Sequence, residues 1–336
     1  MLDKRGVVFG SQYDQILAHP WAKNLSVNQG ALALYLRFGY IMAPYAILEN
    51  THMLEAGCWL EADLSGDIKN GCYYQFPRYM EPDLSGQAAY EADEASLVHV
   101  VQRQMVSDVP LGVFLSGGID SPLVCSIAQS LKNEPIKAFT IGVPGSQLDE
   151  SDDAIRYGQR IGVDHQVENI RFDHVQDLAL ETAAACSEPF GDYSIFPTLQ
   201  VSKFASRQVK VVLSGDGGDE LFWGYRGRMG TAIKYSELFQ LPFWVRKLRW
   251  WMLRRSNEWN LRYFKTPGEW FRSNHEHNFE SLLKTIFPDL APFPEDYDQY
   301  LYDDNSPDET AQWVRWNEFT GHMNNGLLKV DRGSMY

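Results

Sequence analysis

Short apolar runs alternate with polar, helix-like stretches along residues 108–220. GVFL, IKAFTIGV and VKVVLSG are rich in β-branched or large apolar residues, which is typical of buried strands. The helical spacing of PLVCSIAQSL follows the first run, the acidic LDESDDAIRYGQRIG follows the second, and a glycine-rich turn follows the third. This repetition predicts an α/β fold, a parallel sheet with helices on both faces.

Residues 1–75 have a different pattern, with shorter apolar runs separated by turn residues. Within them, GCWLEADLSGDIKNGCYYQF predicts a β-hairpin that turns at Asp-Leu-Ser-Gly-Asp. Residues 76–86 predict a linker because turn-forming residues recur there: Pro77, Pro82 and Gly86. We therefore expect a β-rich segment at 1–75, a linker at 76–86 and a larger domain at 87–336.

Residues 226–316 are aromatic-rich and predict helices, with a basic amphipathic stretch, WVRKLRWWMLRR, at 244–255. We favour a helix packed by its tryptophans, with its charges in solvent. A helix lying on a membrane surface is the alternative.

Composition narrows the class of protein. The net charge of -14 argues against sequence-independent binding to nucleic acid, which needs Lys and Arg to neutralise phosphates. The four cysteines lie far apart without a CxxC pair, so we expect neither a disulfide framework nor a metal cage. No 18-residue apolar run and no secretory signal occur, so a cytoplasmic protein without a membrane segment is expected.

The segment VPLGVFLSGGIDSPLV, residues 109–124, predicts a strand that ends at Leu115 and a helix that starts near Pro122. The two glycines between them remove the Cβ atoms that would keep a ligand away from backbone N–H groups. These amides, the start of the helix and the Ser116 and Ser121 hydroxyl groups are typical of an anion site. Asp120 would repel an anion unless it holds Mg²⁺ against phosphate.

A second glycine-rich turn, in VKVVLSGDGGDELFWGY at 209–225, follows the third predicted strand. It gathers three carboxylates among its glycines: Asp216, Asp219 and Glu220. They repel one another unless they share a cation or a proton. Since ligands of parallel sheets bind at the carboxyl ends of the strands, we expect this turn to share Mg²⁺ with Asp120. An ordinary solvated turn is the alternative.

SGGIDS lacks the GxxxxGK[ST] pattern and resembles the PP-loop of the ATP pyrophosphatase family. With GDGGDE, EPFGDYSIFPT (188–198) and LLKVDRGSM (327–335), residues 85–336 resemble the synthetase domain of glutamine-hydrolysing asparagine synthetases and relatives such as β-lactam synthetase. The resemblance implies ATP and Mg²⁺ as cofactors. It also implies an amide-forming ligase that activates aspartate as β-aspartyl-AMP, which ammonia attacks to give asparagine, AMP and pyrophosphate.

The resemblance further implies a role for individual residues. Pyrophosphate and Mg²⁺ would be held by the first loop: Ser116, Gly117, Gly118, Asp120 and Ser121. The adenosine part of ATP would contact four residues, largely through backbone: Leu115, Ile141, Ser214 and Gly215. Asp219 would be the second Mg²⁺ ligand. Asp216 stands where asparagine synthetases often carry Glu, which helps to deprotonate the ammonia; it completes the catalytic set with Asp120 and Ser121.

Two further groups are assigned less narrowly. Glu188 and Asp192 are either substrate-pocket or loop-capping residues. We expect a structural cluster near the site from three residues of the last motif: Lys329, Asp331 and Arg332.

The family begins with a glutaminase domain whose nucleophile is an N-terminal cysteine, whereas this chain begins with Met1 and first has a cysteine at Cys58. Residues 1–75 resemble the last strands of that N-terminal nucleophile domain, and asparagine synthetases continue beyond the equivalent of Tyr336. We therefore expect a chain truncated at both ends that does not hydrolyse glutamine. A ligase for another carboxylate and a nucleotide-binding fragment without turnover are the alternatives, and a homodimer is left open.

Overall fold

The computed structural model describes residues 1–81, 83–170, 175–252, 264–304 and 306–336. The strands among them are β1 (Leu2–Asp3), β2 (Gly6–Val7), β3 (Cys58–Ala62), β4 (Ile68–Cys72), β5 (Leu111–Phe114), β6 (Lys137–Gly142), β7 (Asp164–Asn169) and β8 (Val211–Leu213). The helices are α1 (Tyr13–Leu17), α2 (Gln29–Phe38), α3 (Gly86–Gln104), α4 (Asp120–Ser130), α5 (Ser151–Ile161), α6 (Val175–Cys186), α7 (Ile195–Ser206), α8 (Gly218–Leu221), α9 (Arg228–Phe239), α10 (Phe243–Met252), α11 (Pro267–Ser273), α12 (Glu280–Ile286), α13 (Pro307–Asn317) and α14 (Asn324–Met335). A π-helical turn, Glu318–Met323, joins the last two.

Strands β5 to β8 form a four-stranded sheet in the order β7-β6-β5-β8, and each neighbouring pair is parallel. Val113 of β5 lies opposite both Ala138 of β6 and Leu213 of β8. The carboxyl ends of β5 and β8 are therefore level, and the loops that follow them start side by side. The predicted parallel sheet is confirmed.

Both faces of this sheet are covered by helices, as predicted. Side chains alternate between the two faces of a strand. Val113 and its neighbours pack against α3, α4 and α5 on one face, where Cys125 and Ala154 are fully buried. Phe139 and its neighbours pack on the other face against α7, with the ring of Phe204 edge-on at 5.5 Å.

The chain forms two compact units, each assembled from separate segments. The sheet unit comprises Glu81–Ala185, Tyr193–Gly218 and Leu327–Tyr336. The other, which we call the helical unit, comprises Met1–Met80, Cys186–Asp192 and Asp219–Gly326. The core of the helical unit joins residues of α2 and the loop after it to residues of α9, α11 and α13, including Leu34, Phe38, Tyr40, Met229, Trp270 and Trp313. The domain boundaries at 75 and 86 stay a prediction.

The predicted hairpin in the first segment is confirmed. Strands β3 and β4 pair antiparallel, with Cys58 opposite Cys72. These two cysteines form a disulfide, so the prediction that the cysteines form none is wrong for this pair. They lie far apart in sequence but equally far from the turn, so antiparallel pairing brings them together. Cys125 and Cys186 are buried and do not belong to this disulfide.

The apolar run ALALYLRF, also in the first segment, lies in helix α2. Asn28 caps its start by accepting the N–H of Ala31 at 2.9 Å. Gly39 ends it with φ +83°, a left-handed conformation in which glycine is unstrained. The β-rich segment 1–75 therefore contains helices as well as two short antiparallel strand pairs.

Helix α10 forms the described part of the basic stretch. Its Trp244 and Trp251 are 69% and 60% exposed, whereas Arg246 is 7% exposed. The guanidinium of Arg246 donates to the carbonyl oxygens of Phe264 and Lys265 and lies over the ring of Phe239. The prediction that tryptophans pack this helix is therefore wrong for these two, because the buried face is built around Arg246.

Two predicted features extend beyond the described residues: positions 253–255 of the basic stretch and Pro82 of the linker. Within the described ranges, no helix is long and apolar enough to cross a membrane.

Candidate functional site

The loop after β5 is closed by its own two serines. Ser121 Oγ accepts the Ser116 N–H at 2.8 Å and lies 2.8 Å from Ser116 Oγ. Ser116 Oγ also accepts the Gly118 N–H at 3.3 Å. Helix α4 starts at Asp120, two residues before the predicted start, so Asp120 and Ser121 both belong to its first turn. The predicted strand, sharp turn and helix are thus present at the carboxyl edge of the sheet.

The two glycines of this loop are required for different reasons. A Cβ on Gly117 would lie 2.8 Å from the Cβ of Asp153 and 3.1 Å from the backbone oxygen of Glu150. A Cβ on Gly118 would meet only Ser116 Oγ, at an ordinary 3.5 Å. Space for a ligand is therefore a reason for glycine at 118, whereas packing against the start of α5 requires it at 117.

Glu150 is a residue of this loop's surroundings that the sequence analysis missed. The Gly117 N–H donates to Glu150 Oε2 at 3.1 Å. A carboxylate oxygen is an anionic acceptor like a phosphate oxygen, so the loop already presents one amide to an anion. The signal was available, because the acidic run LDESDD follows β6 and the carboxyl ends of β6 and β5 share one edge.

The turn after β8 packs against the first turn of α4, with backbone close to backbone. A Cβ on Gly215 would lie 2.6 Å from the Ser121 nitrogen. A Cβ on Gly218 would lie 2.6 Å from Asp120 Oδ2. Between them Gly217 has φ +96°, which glycine adopts without strain. The two predicted motifs therefore meet at one sheet edge, with the Asp120 carboxylate against the glycines of the second turn.

The three carboxylates of that turn have different surroundings. Asp216 is exposed. Asp219 lies beside Gly224, whose N–H donates to the Asp219 carbonyl oxygen at 2.9 Å. Glu220 is buried and accepts the Tyr225 hydroxyl at 2.8 Å, and burial raises its pKa. Glu220 is therefore a buried, hydrogen-bonded residue of the helical unit. Asp216 and Asp219 stay candidates for the nucleotide and metal site.

The chemistry of the donors fits Mg²⁺. This ion prefers carboxylate and other oxygen ligands and keeps several waters. Asp120 offers such a carboxylate, and glycine at 218 lets the second turn lie directly against it, where a Cβ would come within 2.6 Å of its Oδ2. Ligation by Asp120 and by Asp219 stays a prediction.

The residues predicted to contact adenosine lie at strand ends. Leu115 follows β5, Ser214 and Gly215 follow β8, and Ile141 lies in β6. The Leu115 N–H donates to the Phe139 carbonyl at 3.0 Å, so of its backbone groups only the oxygen can serve a ligand.

That oxygen already accepts the hydroxyl of Thr140 at 2.6 Å. His165 Nε2 lies 2.7 Å from the same hydroxyl, and burial lowers the pKa of His165. The Leu115 carbonyl is thus held by a short chain of hydrogen bonds, which the sequence analysis did not anticipate.

Glu188 and Asp192, predicted as substrate-pocket or loop-capping residues, differ in burial. Glu188 is buried, and its Oε1 accepts the Ile47 N–H at 2.8 Å within the helical unit. This contact favours the capping interpretation over the substrate pocket for Glu188. Asp192 is half-buried. In α14, Arg332 is buried, Lys329 is half-buried and Asp331 is exposed.

Fold and loops together define an α/β protein that presents a serine- and glycine-rich loop beside an acidic glycine turn. The family model for asparagine synthase matches residues 94–336. The chain belongs to the asparagine synthase family.

Curated relatives carry the same family name. The chain is 36% identical over 247 residues to a putative glutamine-hydrolysing asparagine synthetase 2 of Methanocaldococcus jannaschii, covering 73% of this chain and 47% of the relative. It is 28% identical over 223 residues to glutamine-hydrolysing asparagine synthetase 1 of Bacillus subtilis, covering 65% and 34%. The chain thus spans about half or less of the length of these relatives.

Among solved structures, the NMN synthetase of Francisella tularensis aligns with a TM-score of 0.31 at 18% identity, covering 43% of this chain and 59% of that one.

Proposed function

We propose that this chain carries the ATP-using part of an amide-forming ligase. In the proposed reaction, aspartate attacks the α-phosphate of ATP to give β-aspartyl-AMP and pyrophosphate, and ammonia then displaces AMP to give asparagine. The observation that carries the proposal is the close packing of the loop Ser116–Ser121 against the turn Ser214–Gly218, beside the open space at Gly118.

The loop would bind the departing pyrophosphate. Its amides and the first turn of α4 direct positive ends of dipoles towards an anion. The hydroxyl groups of Ser116 and Ser121, 2.8 Å apart, can reorient to donate to phosphate oxygens. Glu150 would have to release the Gly117 N–H, because two anions cannot share one amide at this distance. This release would make the loop respond to ATP.

Asp120 and Asp219 would hold Mg²⁺. Bound Mg²⁺ would supply positive charge that neutralises the charge developing on pyrophosphate. The adenosine part would lie along Leu115, Ile141, Ser214 and Gly215. The Leu115 carbonyl, which accepts the Thr140 hydroxyl, would be the acceptor for an exocyclic amine or a ribose hydroxyl.

Asp216 would take the proton from the attacking ammonia. It is exposed at the turn, so it can reach a substrate that arrives from solvent. Its side chain is one methylene shorter than the Glu that asparagine synthetases often carry. The role therefore predicts that Asp216→Glu retains activity, whereas Asp216→Asn loses most of it.

In the same proposal the small-molecule partners are aspartate and ammonia, and the protein works in the cytoplasm without nucleic acid or membrane. The net charge of -14 supports the exclusion of nucleic acid, because counterion release from phosphates needs basic residues.

Pyrophosphate release tests the proposal. The chain, ATP, Mg²⁺ and ammonia are combined with aspartate, without aspartate, or with another amino-acid carboxylate. Release that requires aspartate supports the asparagine synthetase activity, and release only with another carboxylate identifies a related ligase. A folded chain that ATP with Mg²⁺ stabilises, but that releases nothing with any carboxylate, is a binding fragment. At a hundredfold excess over the dissociation constant, the stabilisation would be about 2.7 kcal/mol.

A further inference from the structure

Two histidines and a glutamate converge inside the helical unit. Their ligand atoms, one from each of His275, Glu318 and His322, all lie within 4.8 Å of one another. Glu318 is fully buried and His275 is 6% exposed. A buried carboxylate is costly unless a charge or several hydrogen bonds compensate it.

The contacts of His275 determine which ring nitrogen carries a proton and which one directs a lone pair towards Glu318. Its Nδ1 lies 3.2 Å from the carbonyl oxygen of Phe271, which can only accept, so Nδ1 carries a proton. Its Nε2 lies 3.2 Å from Glu318 Oε1. In neutral His275 this nitrogen is an acceptor that faces an anionic acceptor. Something positive, a proton or a metal ion, must therefore lie between them.

A metal ion accounts for more of the geometry than a proton does. Zinc binds nitrogen and carboxylate oxygen at about 2.0–2.2 Å, so ligands of a tetrahedral site are about 3.3 Å apart. The 3.2 Å between His275 Nε2 and Glu318 Oε1 matches this separation. A proton shared between His275 and Glu318 would involve that pair alone, whereas a metal ion could also bind His322.

The local fold presents the third ligand. Glu318 and His322 belong to one π-helical turn, Glu318–Met323, and residues four apart in it lie on nearly the same side. π-helical turns are rare and frequently occur at functional sites. The hydrogen bond from His275 Nδ1 to a backbone carbonyl is also the outer contact that metal-binding histidines almost always make.

We propose that His275, Glu318 and His322 bind a transition-metal ion of the zinc type, which ties the loop after α11 to the turn before α14. Two imidazole nitrogens and one carboxylate suit Zn²⁺ and Co²⁺ and disfavour Mg²⁺, which requires oxygen ligands. The site is separate from the Mg²⁺ ligands proposed above and does not depend on the proposed reaction. A water molecule can complete the tetrahedron.

Metal content and zinc titration of the whole chain test this proposal. We expect one zinc per chain after dialysis against zinc, with a rise in the thermal midpoint that millimolar Mg²⁺ neither reproduces nor prevents. Glu318→Gln should weaken zinc binding at least tenfold, while its amide can donate to His275 Nε2 and so keep the pair satisfied. His277→Gln, at an exposed histidine two residues from His275, is the matched control and should bind as the wild type does.

Cobalt gives a readout that needs no variant. Co²⁺ in the wild-type chain should give the intense visible absorption of a tetrahedral site, and zinc should abolish it. Weak octahedral absorption, equal zinc affinity in Glu318→Gln and wild type, or no zinc bound at all would each overturn the proposal. The last outcome would leave a proton shared between His275 and Glu318 in place of the metal.

Discussion

Gly117 and Gly118 are adjacent, yet protein atoms fill the space beside Gly117, whereas the space beside Gly118 is open. We predict that Gly118→Ala changes the free energy of unfolding by less than about 1 kcal/mol, because its Cβ meets only Ser116 Oγ at 3.5 Å. It should weaken ATP binding at least tenfold, since the methyl group would stand where the ligand approaches the amides. Chemical denaturation and a thermal-shift titration with ATP and Mg²⁺ measure the two effects.

Gly117→Ala should behave in the opposite order. Its Cβ would approach the backbone oxygen of Glu150 to 3.1 Å, and overpacking of this kind costs about 1–3 kcal/mol of stability. Gly230→Ala, where a Cβ meets nothing within 4 Å, controls for the general effect of removing a glycine. Equal loss of stability in Gly117→Ala and Gly118→Ala would contradict the distinction between the two positions.

His165 supplies a second prediction at the residue scale. Burial lowers its pKa below the ordinary value of about 6.5, so the unfolded chain takes up the proton first as the pH falls. The free energy of unfolding should therefore be fully retained above about pH 6.5 and fall steadily below it, until the folded-state pKa is reached. Denaturation at pH 7.5, 6.5 and 5.5 measures the slope.

His165→Asn should reduce that slope, and His277→Asn should not, because His277 is exposed. The protonated ring would also disturb Thr140, whose hydroxyl lies 2.7 Å from His165 Nε2 and holds the Leu115 carbonyl. A wild-type slope that His165→Asn leaves unchanged would show that other groups govern the acid sensitivity.

Among the elements, the hairpin β3–β4 joins its two ends by the disulfide Cys58–Cys72. We predict that iodoacetamide labels two cysteines in the denatured, unreduced chain and all four after reduction. Peptide mapping should place the first two labels on Cys125 and Cys186, the cysteines outside the hairpin. Four labels without reduction would show that the pair is not formed under the conditions of preparation.

Elements were predictable from sequence where local pattern and tertiary packing agree. The apolar runs of β5 and β6 are buried on both faces, and that of β8 is at least half-buried, so their apolar pattern predicts strands. Cys58 and Cys72 lie opposite each other because of the strand register of the hairpin. A prediction based only on the sequence spacing of cysteines does not take this register into account. Which face of α10 is buried depends on the carbonyl oxygens of residues 264 and 265, which are distant in sequence and bind Arg246. The sequence of α10 alone suggests the opposite, with its tryptophans buried and its charges exposed.

The candidate site was predictable to a similar extent. The loop Ser116–Ser121 and the turn Ser214–Gly218 meet because the register of β5 and β8 is level, and parallel topology implies this. Glu150 was missed because its contact with Gly117 crosses from a third loop. The His275–Glu318–His322 cluster could not be found from spacing, since 43 residues separate His275 from Glu318.

At the scale of the whole molecule, the helical unit is held together by contacts between its N-terminal segment and segments more than 200 residues later in the chain. The side chain of Arg37, at the end of α2, pairs with Glu276 at 2.9 Å, and both side chains are less than one-tenth exposed. Phe38 stacks on Tyr300 and Phe293 with ring centroids 5.7 Å apart in each case. The predicted boundary at 75 would separate these partners. Removal of one partner from such a buried ion pair costs about 3–5 kcal/mol.

We therefore predict that a chain starting at residue 76 does not retain a folded helical unit. Deletion would expose Trp270, Phe271 and Trp313, which are all buried beneath the same cluster as Phe38. Limited proteolysis should then cleave within 219–326, and the thermal transition of the full chain should lose amplitude or move to lower temperature. Phe38→Ala in the full chain isolates one contribution and should cost about 3–5 kcal/mol. Leu64→Ala, at an exposed position of the same segment, should leave the stability unchanged. A truncated chain with the same midpoint and protease resistance as the full one would instead support an independent domain at 87–336.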